Sequence, residues 1–250
     1  QDQVWVPTLG VHYNINAYSR INLERSGNFR FPSADEMAWT QSGQHLKPQK
    51  GADYQLLYHF KRDHWEFQSQ LYALYLQNEI IFLPFKQNVF FGYNTNLSQT
   101  RRIGLSGWLK YDASTWQWML GVDAVNPRVA AGSERGKVIP FVSMWHVNGA
   151  VQYNVNLNWC VGLDVNLNGS RYAIGDMQNS AVKLPVQSQT NLSLEYKTKH
   201  WIVAGTINNV FDQRYSSYAV KESDGVVYYY PAPGFNGYVS LRYILPSTIM

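Results

Sequence analysis

The sequence predicts an all-β protein: an antiparallel transmembrane β-barrel, or a portion of one, with about 11 strands. Three observations predict it. Apolar and polar residues alternate along successive segments, short turns alternate with long loops, and aromatic residues gather beside the short turns. A period of two indicates strands with two unlike faces. Short turns at one end of the hairpins and long loops at the other are typical of membrane barrels, with periplasmic turns and extracellular loops.

The composition agrees with this fold class. Charged residues make up 15% of the 250 residues and aromatic residues another 15%, whereas soluble domains carry about 25% charged residues. Mean hydropathy is −0.33 although 45% of the residues are hydrophobic. An apolar outer face, a polar interior and aromatic rims produce this combination. The net charge of +4 is not concentrated in a Lys/Arg run, so we expect no nucleic-acid partner.

Two other structural classes are excluded. No apolar run approaches the length of about 18 residues that a membrane helix requires, and the longest, 80–85, contains Pro84. Cys160 is the single cysteine, so no internal disulfide forms. The chain begins within alternating residues and shows no leader pattern, so we expect a mature product or a piece cut from something longer.

Each element has a local signature, either alternation for strands or polar, Gly- and Pro-containing residues for turns and loops. The short turns fall near Asn16, at 62–64, at 112–115, after 155 and at 197–199. The predicted strands lie at 4–14, through 21–23, and at 53–61, 65–75, 103–111, 118–124, 146–155, 159–167, 192–196, 201–207 and 236–245. The predicted loops between them lie at 29–51, 126–140 and 169–187, with a long loop-like stretch at 83–99. A corner at 208–215 and a tyrosine-rich loop precede the final strand.

The final strand and the strand ends assign the two faces. We expect one side of the last strand to meet lipid, namely Gly237, Val239, Leu241, Tyr243 and Leu245, and the other to face the lumen, namely Asn236, Ser240 and Arg242. Aromatic residues beside the short turns predict a periplasmic girdle: Tyr58, Phe60, Trp65, Tyr111, Trp116, Tyr153, Trp159, Tyr196 and Trp201. A soluble β-sandwich or propeller also alternates, but it does not concentrate Tyr and Trp at one end of every hairpin.

The corner INNVFDQRY, the segment YYYPAPG and the terminal alternating strand resemble the C-terminal end of TonB-dependent outer-membrane receptors. Other segments resemble the family in the same order, and the likeness covers nearly the whole chain: FRFPSADE, LKPQKGADYQL, NEIIF, TRRIGLSG, GKVIPFVSMWHVNGAVQY and GSRYAIGD. The resemblance implies a barrel of about 22 strands with a plugged lumen. It also implies import of a scarce nutrient, most often a ferric siderophore and less often haem, cobalamin or sugars, driven through the plug by the TonB complex.

The sequence departs from that family pattern in three ways. It shows no plug or TonB-contacting segment and about half of the strands; it continues past Leu245, where the family usually ends on an aromatic residue; and it reads Gly43-Gln44-His45-Leu46 where the family typically has Asn-Pro-Asn-Leu. His45 alone near this box disfavours a haem ligand. We expect residues 1–250 to be the C-terminal part of the barrel, completed by an N-terminal half and plug in the same or a separate chain.

If the chain is only part of a barrel, its sheet has two open edges. Unpaired backbone groups in lipid cost several kcal/mol each. A sheet with two open edges therefore costs more than the whole stability of a typical domain, about 5–15 kcal/mol. We expect the chain alone not to form a closed, heat-resistant barrel.

Candidate ligand-binding residues lie on the long loops and the lumenal mouth. Guanidinium groups suit anionic chelates, and tyrosines stack on planar ones. The candidates are Arg30, Tyr93, Arg101, Arg102, Arg171, Tyr172, Arg214, Tyr228, Tyr229 and Tyr230. Alternatively, the arginines pair with carboxylates inside the barrel or with lipopolysaccharide phosphates, and the aromatic residues form an outer girdle or pack within the loops.

The predicted function is a component of a bacterial outer-membrane receptor for a ferric siderophore or a similar nutrient. The expected partners are outer-membrane lipid and lipopolysaccharide, the ferric chelate, the N-terminal barrel half and plug, and the TonB complex through that plug. A plug-less porin-like or structural barrel remains the alternative. The scattered histidines form no nucleophile–base or metal motif, so we expect no catalytic residue, no metal site and no resident cofactor.

Overall fold

A computed structural model describes residues 4–41, 43–85, 88–222 and 225–245. In these ranges the strands are β1 (Thr8–Asn14), β2 (Ser19–Arg30), β3 (Gln49–Arg62), β4 (Trp65–Phe85), β5 (Asn88–Asp112), β6 (Trp116–Ala131), β7 (Trp145–Asn154), β8 (Trp159–Asn168), β9 (Gln187–Lys197), β10 (Trp201–Asn208), β11 (Ser216–Lys221), β12 (Val227–Pro231) and β13 (Asn236–Tyr243), with one short helix, α1 (Ala34–Ala38). No helix in the described ranges is long and apolar enough to cross a membrane.

Eleven strands form one antiparallel sheet in the order β1-β2-β3-β4-β5-β6-β7-β8-β9-β10-β13. Strands that are adjacent in sequence are adjacent in the sheet, except that β11 and β12 form a separate hairpin between β10 and β13. Within the described residues, β1 and β13 are the two edges of the large sheet. The predicted all-β, antiparallel barrel-type fold is confirmed.

Short and long connections alternate, as predicted, except between β4 and β5. Five short turns lie at one end of the sheet, at 15–18, 63–64, 113–115, 155–158 and 198–200. Long connections lie at the other end, where β2 is followed by β3, β6 by β7, β8 by β9 and β10 by the β11–β12 hairpin and β13. Because barrels of this type place short turns in the periplasm, the long connections are the extracellular ones.

The stretch 83–99 was expected to be a long loop, and this prediction is wrong. The strands β4 and β5 continue as one extended hairpin, in which Glu79 lies opposite Leu97 and Pro84 opposite Gly92. The ladder is interrupted at Asn78, which has φ 56°. The side-chain amide of Asn96 bonds to the carbonyl oxygens of Asn78, at 2.8 Å, and Lys47, at 3.1 Å. These bonds hold the hairpin against the neighbouring loop.

Strand register collects the apolar residues on one continuous outer face. Leu23 lies opposite Leu56, Leu56 opposite Leu71, and Leu71 opposite Leu105. These side chains are exposed; Leu23 is 56% and Leu71 is 54% accessible. Soluble proteins rarely expose so large an apolar patch, whereas a membrane barrel turns such a face toward lipid.

The last strand follows the predicted faces. In β13, Val239 lies opposite Gly205 and Leu241 opposite Val203, both on the apolar side of β10. The polar residues Ser240 and Arg242 therefore lie on the other side with Ala204 and Ile202 as partners.

Aromatic side chains pair between neighbouring strands beside the short turns, as the predicted girdle requires. The ring centroids of Trp65 and Tyr111 are 5.0 Å apart. The same contact recurs between neighbouring strands around the sheet: Trp116 with Tyr153 at 4.4 Å, Trp159 with Tyr196 at 4.6 Å, and Trp201 with Tyr243 at 4.7 Å. Amphipathic rings at this level fix the periplasmic interface of the membrane.

The buried apolar residues lie mainly in the extracellular connections. Ala173, Leu184 and Ala219 form a buried cluster that Val227 joins. Backbone bridges join Arg171 to Leu184 and Ile174 to Val220. We call residues 132–144, 169–186, 209–222 and 225–235 the loop assembly, because these segments pack against one another above the sheet.

Asp176 is the polar centre of the loop assembly and is completely buried (0% accessible). Its carboxylate accepts hydrogen bonds from the backbone N–H groups of Ser180, at 3.0 Å, and Ala181, at 2.9 Å, and from Lys221 Nζ at 2.7 Å. Burial acts to raise the pKa of Asp176, but these hydrogen bonds outweigh it and hold the pKa below 3.8. One carboxylate thus joins the β8–β9 connection to β11.

We expect Asp176→Asn to loosen the loop assembly. The change leaves the largely buried Lys221 without its anion, a type of loss that costs about 3 kcal/mol. Hydrogen-exchange protection should fall in 169–186 and 216–221 and stay unchanged in β7 and β8. Asp164→Asn is the matched control, because Asp164 is exposed on β8 and has no ion pair within the described ranges.

The pH dependence gives a second check of the same interaction. Since the folded pKa is lowered, the stabilisation is present above the unfolded value of 3.8 and is lost as pH falls through the folded value. The difference in protection between the wild type and Asp176→Asn should therefore be constant from about pH 7 to about pH 5. A difference that vanishes near neutral pH would contradict this assignment.

Candidate functional site

The structure places the five candidate arginines in three different charge environments. Arg30, at the end of β2, donates from Nη1 to both carboxylate oxygens of Glu36, at 2.8 and 2.7 Å. Glu36 also accepts from the Ser33 backbone at 2.8 Å, which completes the capping box of α1. The hydrogen bond from Arg30 lowers the pKa of Glu36 despite partial burial. The carboxylate of Glu36 thus neutralises the charge of Arg30, and this ion pair joins the end of β2 to the first turn of α1.

Arg102 is also paired. Its Nη2 donates to Glu79 Oε1 at 2.6 Å and its Nη1 to Glu79 Oε2 at 3.1 Å. The hydroxyl of Thr100 donates to the same carboxylate. Both charged side chains are largely buried, so this bidentate pair joins β4 and β5 and leaves little free charge for a ligand.

Arg101 points away from Arg102, because successive residues of a strand face opposite sides. It is exposed on the apolar side of β5, opposite Tyr75 on β4 and Arg128 on β6. The structure therefore separates Arg101 from the lumenal and loop candidates. Its ligand-binding role stays a prediction that this position does not favour.

Arg171 lies within the loop assembly and is only 8% accessible. Its guanidinium carbon lies over the ring of Phe141, 4.8 Å from the centroid. Within the described ranges no carboxylate pairs with Arg171. Burial lowers the pKa of the Arg171 guanidinium, yet an arginine remains charged at neutral pH. A buried cation without a counter-ion is costly, so this position favours an anion.

Aromatic rings extend from Arg171 toward β12. The ring centroids of Phe141 and Tyr218 are 5.4 Å apart, and those of Tyr218 and Tyr230 are also 5.4 Å apart. Both contacts are edge-on, the arrangement that aromatic pairs prefer. The structure therefore connects two of the predicted candidates, Arg171 and Tyr230, through two residues that were not predicted.

Backbone contacts hold these side chains in place. Arg171 and Leu184 exchange backbone hydrogen bonds, the shorter at 2.8 Å. The N–H of Phe141 donates to the carbonyl of Tyr172 at 2.9 Å, and Phe141 has φ 64°, which only a well-determined surrounding keeps in a bulky residue. Tyr218 lies opposite Tyr230 in the β11–β12 hairpin. The site is thus built before any ligand arrives.

Additional candidates lie on the surface of the same assembly. Lys183 Nζ lies over the ring of Tyr172, 4.9 Å from its centroid. Arg214, Tyr228 and Tyr229 are exposed. No ion pair neutralises Arg214 within the described ranges. The assembly therefore presents positive charge and ring faces together.

Tyr93 is apart from this group, because it lies on the extended β4–β5 hairpin opposite Leu83. The residues missed from the sequence are Phe141, Tyr218 and Lys183. The alternation at 216–220 predicts a strand that would carry Tyr218, but no local pattern marks Phe141 or Lys183.

A family model described as TonB dependent receptor-like, beta-barrel, matches residues 1–210. No match is found among curated protein sequences.

Solved structures share the fold at low sequence identity. The copper transporter OprC superposes with a TM-score of 0.77 and 15% identity over 94% of this chain and 40% of its own. The ferric yersiniabactin uptake receptor FyuA from Yersinia pestis gives a TM-score of 0.75 and 17% identity over 95% of this chain and 37% of its own. The ferric-catecholate import receptor Fiu from K12 E. coli, in its closed form, gives 0.73 and 15% over 95% and 34%.

The chain spans about two fifths or less of the length of these structures. At such identities they show the fold, while the family model extends over most of this sequence. The chain therefore belongs to the β-barrel family of TonB-dependent receptors, which are proteins of the bacterial outer membrane.

Proposed function

We propose that this chain is part of a TonB-dependent importer of a ferric siderophore or a similar anionic chelate, and that the loop assembly holds the ligand. The observation that carries the proposal is Arg171, a buried guanidinium stacked on Phe141 with no carboxylate partner in the described ranges. Receptors of this family are transporters rather than enzymes. The solved structures with this fold include a copper transporter and importers of ferric chelates, and the chemistry of the site favours a chelate.

The chemistry of the assembly fits a flat, negatively charged ligand. A guanidinium forms paired hydrogen bonds with carboxylate or catecholate oxygens. The rings of Tyr218 and Tyr230 provide apolar contact area, and Arg214 and Lys183 add positive charge at the surface. Because Arg171 has already lost most of its water, an arriving anion gains more from it than from a solvated arginine.

We further propose that the remaining partners lie outside this sequence. Strands elsewhere in the receptor pair with the free sides of β1 and β13, because lipid cannot satisfy those backbone groups. A plug fills the polar lumen and transmits the pull of the TonB complex. The partial coverage of the structural neighbours supports this arrangement.

Arg171→Gln tests the role of the buried guanidinium. We expect affinity for a negatively charged ferric tris-catecholate to fall about 10–100-fold, the value of one to two hydrogen bonds to a charged group. A neutral ferric tris-hydroxamate should show no comparable difference. The responses to the two chelates are measured as uptake of the ⁵⁵Fe-labelled chelates. The cells produce the complete receptor and are compared with and without TonB.

Arg20→Gln is the matched control for this experiment, since Arg20 is exposed at the periplasmic end of β2 and has no ion pair within the described ranges. Equal uptake by the wild type and Arg171→Gln across all chelates would contradict the binding site. Solute entry that is indifferent to TonB would instead favour the porin-like alternative.

Tyr218→Leu tests the aromatic connection between Phe141 and Tyr230. Loss of two edge-on ring contacts, each about 0.5–1.5 kcal/mol, should loosen the site and speed dissociation of the ferric catecholate several-fold. Tyr218→Phe keeps both ring contacts and should retain the wild-type rate. Dissociation measured by isotope exchange on outer-membrane preparations separates the two, and an equal effect of both variants would overturn the role given to the ring.

A further inference from the structure

A groove on the lipid-facing side of the sheet crosses β9, β10 and β13. Leu194 lies opposite Gly205, and Gly205 lies opposite Val239. In the next row toward the extracellular end, Ile207 lies opposite Gly237. These residues border one cavity of about 730 Å³. We call Leu194, Gly205, Ile207, Gly237 and Val239 the glycine groove.

The absence of a side chain at Gly205 makes the glycine groove a hollow in the apolar face. A Cβ atom added to Gly205 would meet open space, because no described atom beyond its chain neighbours lies within 4 Å of that position. The side chains around this position are exposed and aliphatic, namely Leu194, Ile207 and Val239. The lipid-facing surface therefore has a depression with aliphatic walls at this place.

The depth of the glycine groove in the membrane indicates what fills it. Trp201 and Tyr243, whose ring centroids are 4.7 Å apart, mark the periplasmic interface. Gly205 lies four residues beyond Trp201 along β10, and Ile207 lies six residues beyond it. At about 3.4 Å per residue and a tilt of about 40°, the two residues lie about 10 and about 16 Å above that interface. The apolar band of such barrels is about 25 Å tall, so the glycine groove lies within the hydrocarbon.

The strands that carry the glycines end just above the glycine groove. β10 ends at Asn208 and β13 begins at Asn236, and the side-chain amides of these two residues hydrogen-bond at 3.0 Å. The next residue, Asn209, is buried and begins the polar corner of the loop assembly. Below the groove, β10 and β13 continue toward the periplasmic interface through the apolar residues Val203 and Leu241. The apolar path into the groove therefore starts in the periplasmic leaflet.

Packing selects the occupant at this depth. A lipid tail is as apolar as leucine, so moving a tail from the bilayer into the glycine groove gains no hydrophobic free energy. A tail in the hollow contacts aliphatic carbon on several sides, however, and such dispersion contacts are collectively large. If the hollow is empty, its lining atoms lose these contacts. The shape of the groove therefore favours one ordered chain over the mobile lipid around it.

We propose that the glycine groove holds the terminal half of one acyl chain of a phospholipid from the periplasmic leaflet. Half of a hydrocarbon core of about 30 Å is about 15 Å, which matches the height of the groove above the periplasmic interface. The bound chain covers the backbone of β10 and β13 where Gly205 and Gly237 provide no side chain to cover it. The site depends on the barrel in its membrane and is independent of the imported ligand.

Photo-crosslinking of the purified complete receptor in nanodiscs tests the proposal. The nanodiscs contain phosphatidylethanolamine with a diazirine near the end of one acyl chain, and mass spectrometry maps the labelled residues. We expect several-fold stronger labelling at Ile207 and Val239 than at Leu105 and Leu120. These two leucines are exposed on the same lipid-facing side. They lie six and four residues from the aromatic residues Tyr111 and Trp116, so their depths match that of the glycine groove.

Gly205→Leu fills the glycine groove and should lower this labelling several-fold. Gly149→Leu is the matched control, because Gly149 lies on the lipid-facing side of β7 opposite Leu120 and does not border the groove. It also has room for a side chain, since the nearest described atom to its added Cβ is the Met119 carbonyl oxygen at 4.0 Å. Gly205→Ala should lower the labelling in part, and it keeps the test decisive if Gly205→Leu fails to fold.

Equal labelling of all lipid-facing residues at this depth, or unchanged labelling of the folded Gly205 variants, would overturn the proposal. Stronger labelling of the glycine groove by lipopolysaccharide with the same probe would also overturn it, because those chains belong to the outer leaflet. A photoreactive amino acid at position 239 that captured a protein instead of lipid in native outer membranes would assign the groove to a protein partner and contradict the proposal. Ferric-chelate uptake is measured separately and should stay normal in both glycine variants, so failure here is distinguishable from failure of the proposed import function.

Discussion

Backbone hydrogen bonding in lipid is the constraint on which the rest of this structure depends. A strand that crosses hydrocarbon has no water to satisfy its N–H and C=O groups, so every strand must pair along its whole length. The continuous ladder from β1 to β13 fixes the register, and the register decides the face of every side chain. The leucine row, the aromatic row and the outward direction of Arg101 all follow from that single alignment.

The membrane also determines where a buried core is needed. Inside the bilayer, lipid covers the apolar face and the ladder provides order, so few side chains need to be buried there. Above the bilayer the connections meet water and need a core of their own. Ala173, Leu184 and Ala219 supply its apolar part, and Asp176 with Lys221 supplies its polar part. A rigid loop assembly can then keep a charged residue such as Arg171 desolvated, which a flexible loop cannot do.

The sequence predicted what depends on local periodicity. Most strand positions and the two faces of β13 follow from a period of two, the aromatic girdle follows from the aromatic residues beside the short turns, and the structure confirms these features. The extended β4–β5 hairpin was missed, because its pairing is fixed by Asn78 and Asn96 contacts that join segments distant in sequence. Local polarity at 83–99 resembles that of a loop whether or not a partner strand lies beside it.

The candidate site was less predictable, because its residues come from connections that are distant from one another in sequence. Residue type alone could not tell Arg30 and Arg102, which carboxylates neutralise, from Arg171, which stacks on Phe141. Phe141 comes from a different connection, so no spacing rule links it to Arg171. Arg101 and Arg102 are neighbours in sequence yet lie on opposite faces, and only the strand register separates a lipid contact from a lumenal pair.

A structure of the complete receptor with a bound ferric tris-catecholate tests the central claim most directly. The anomalous signal of iron locates the ligand without regard to any assumption about its contacts. We expect a single peak in the loop assembly, beside the guanidinium of Arg171 and the ring of Tyr230. A peak elsewhere, for example among the lumenal side chains next to Arg102, with the loop assembly unoccupied, would contradict it.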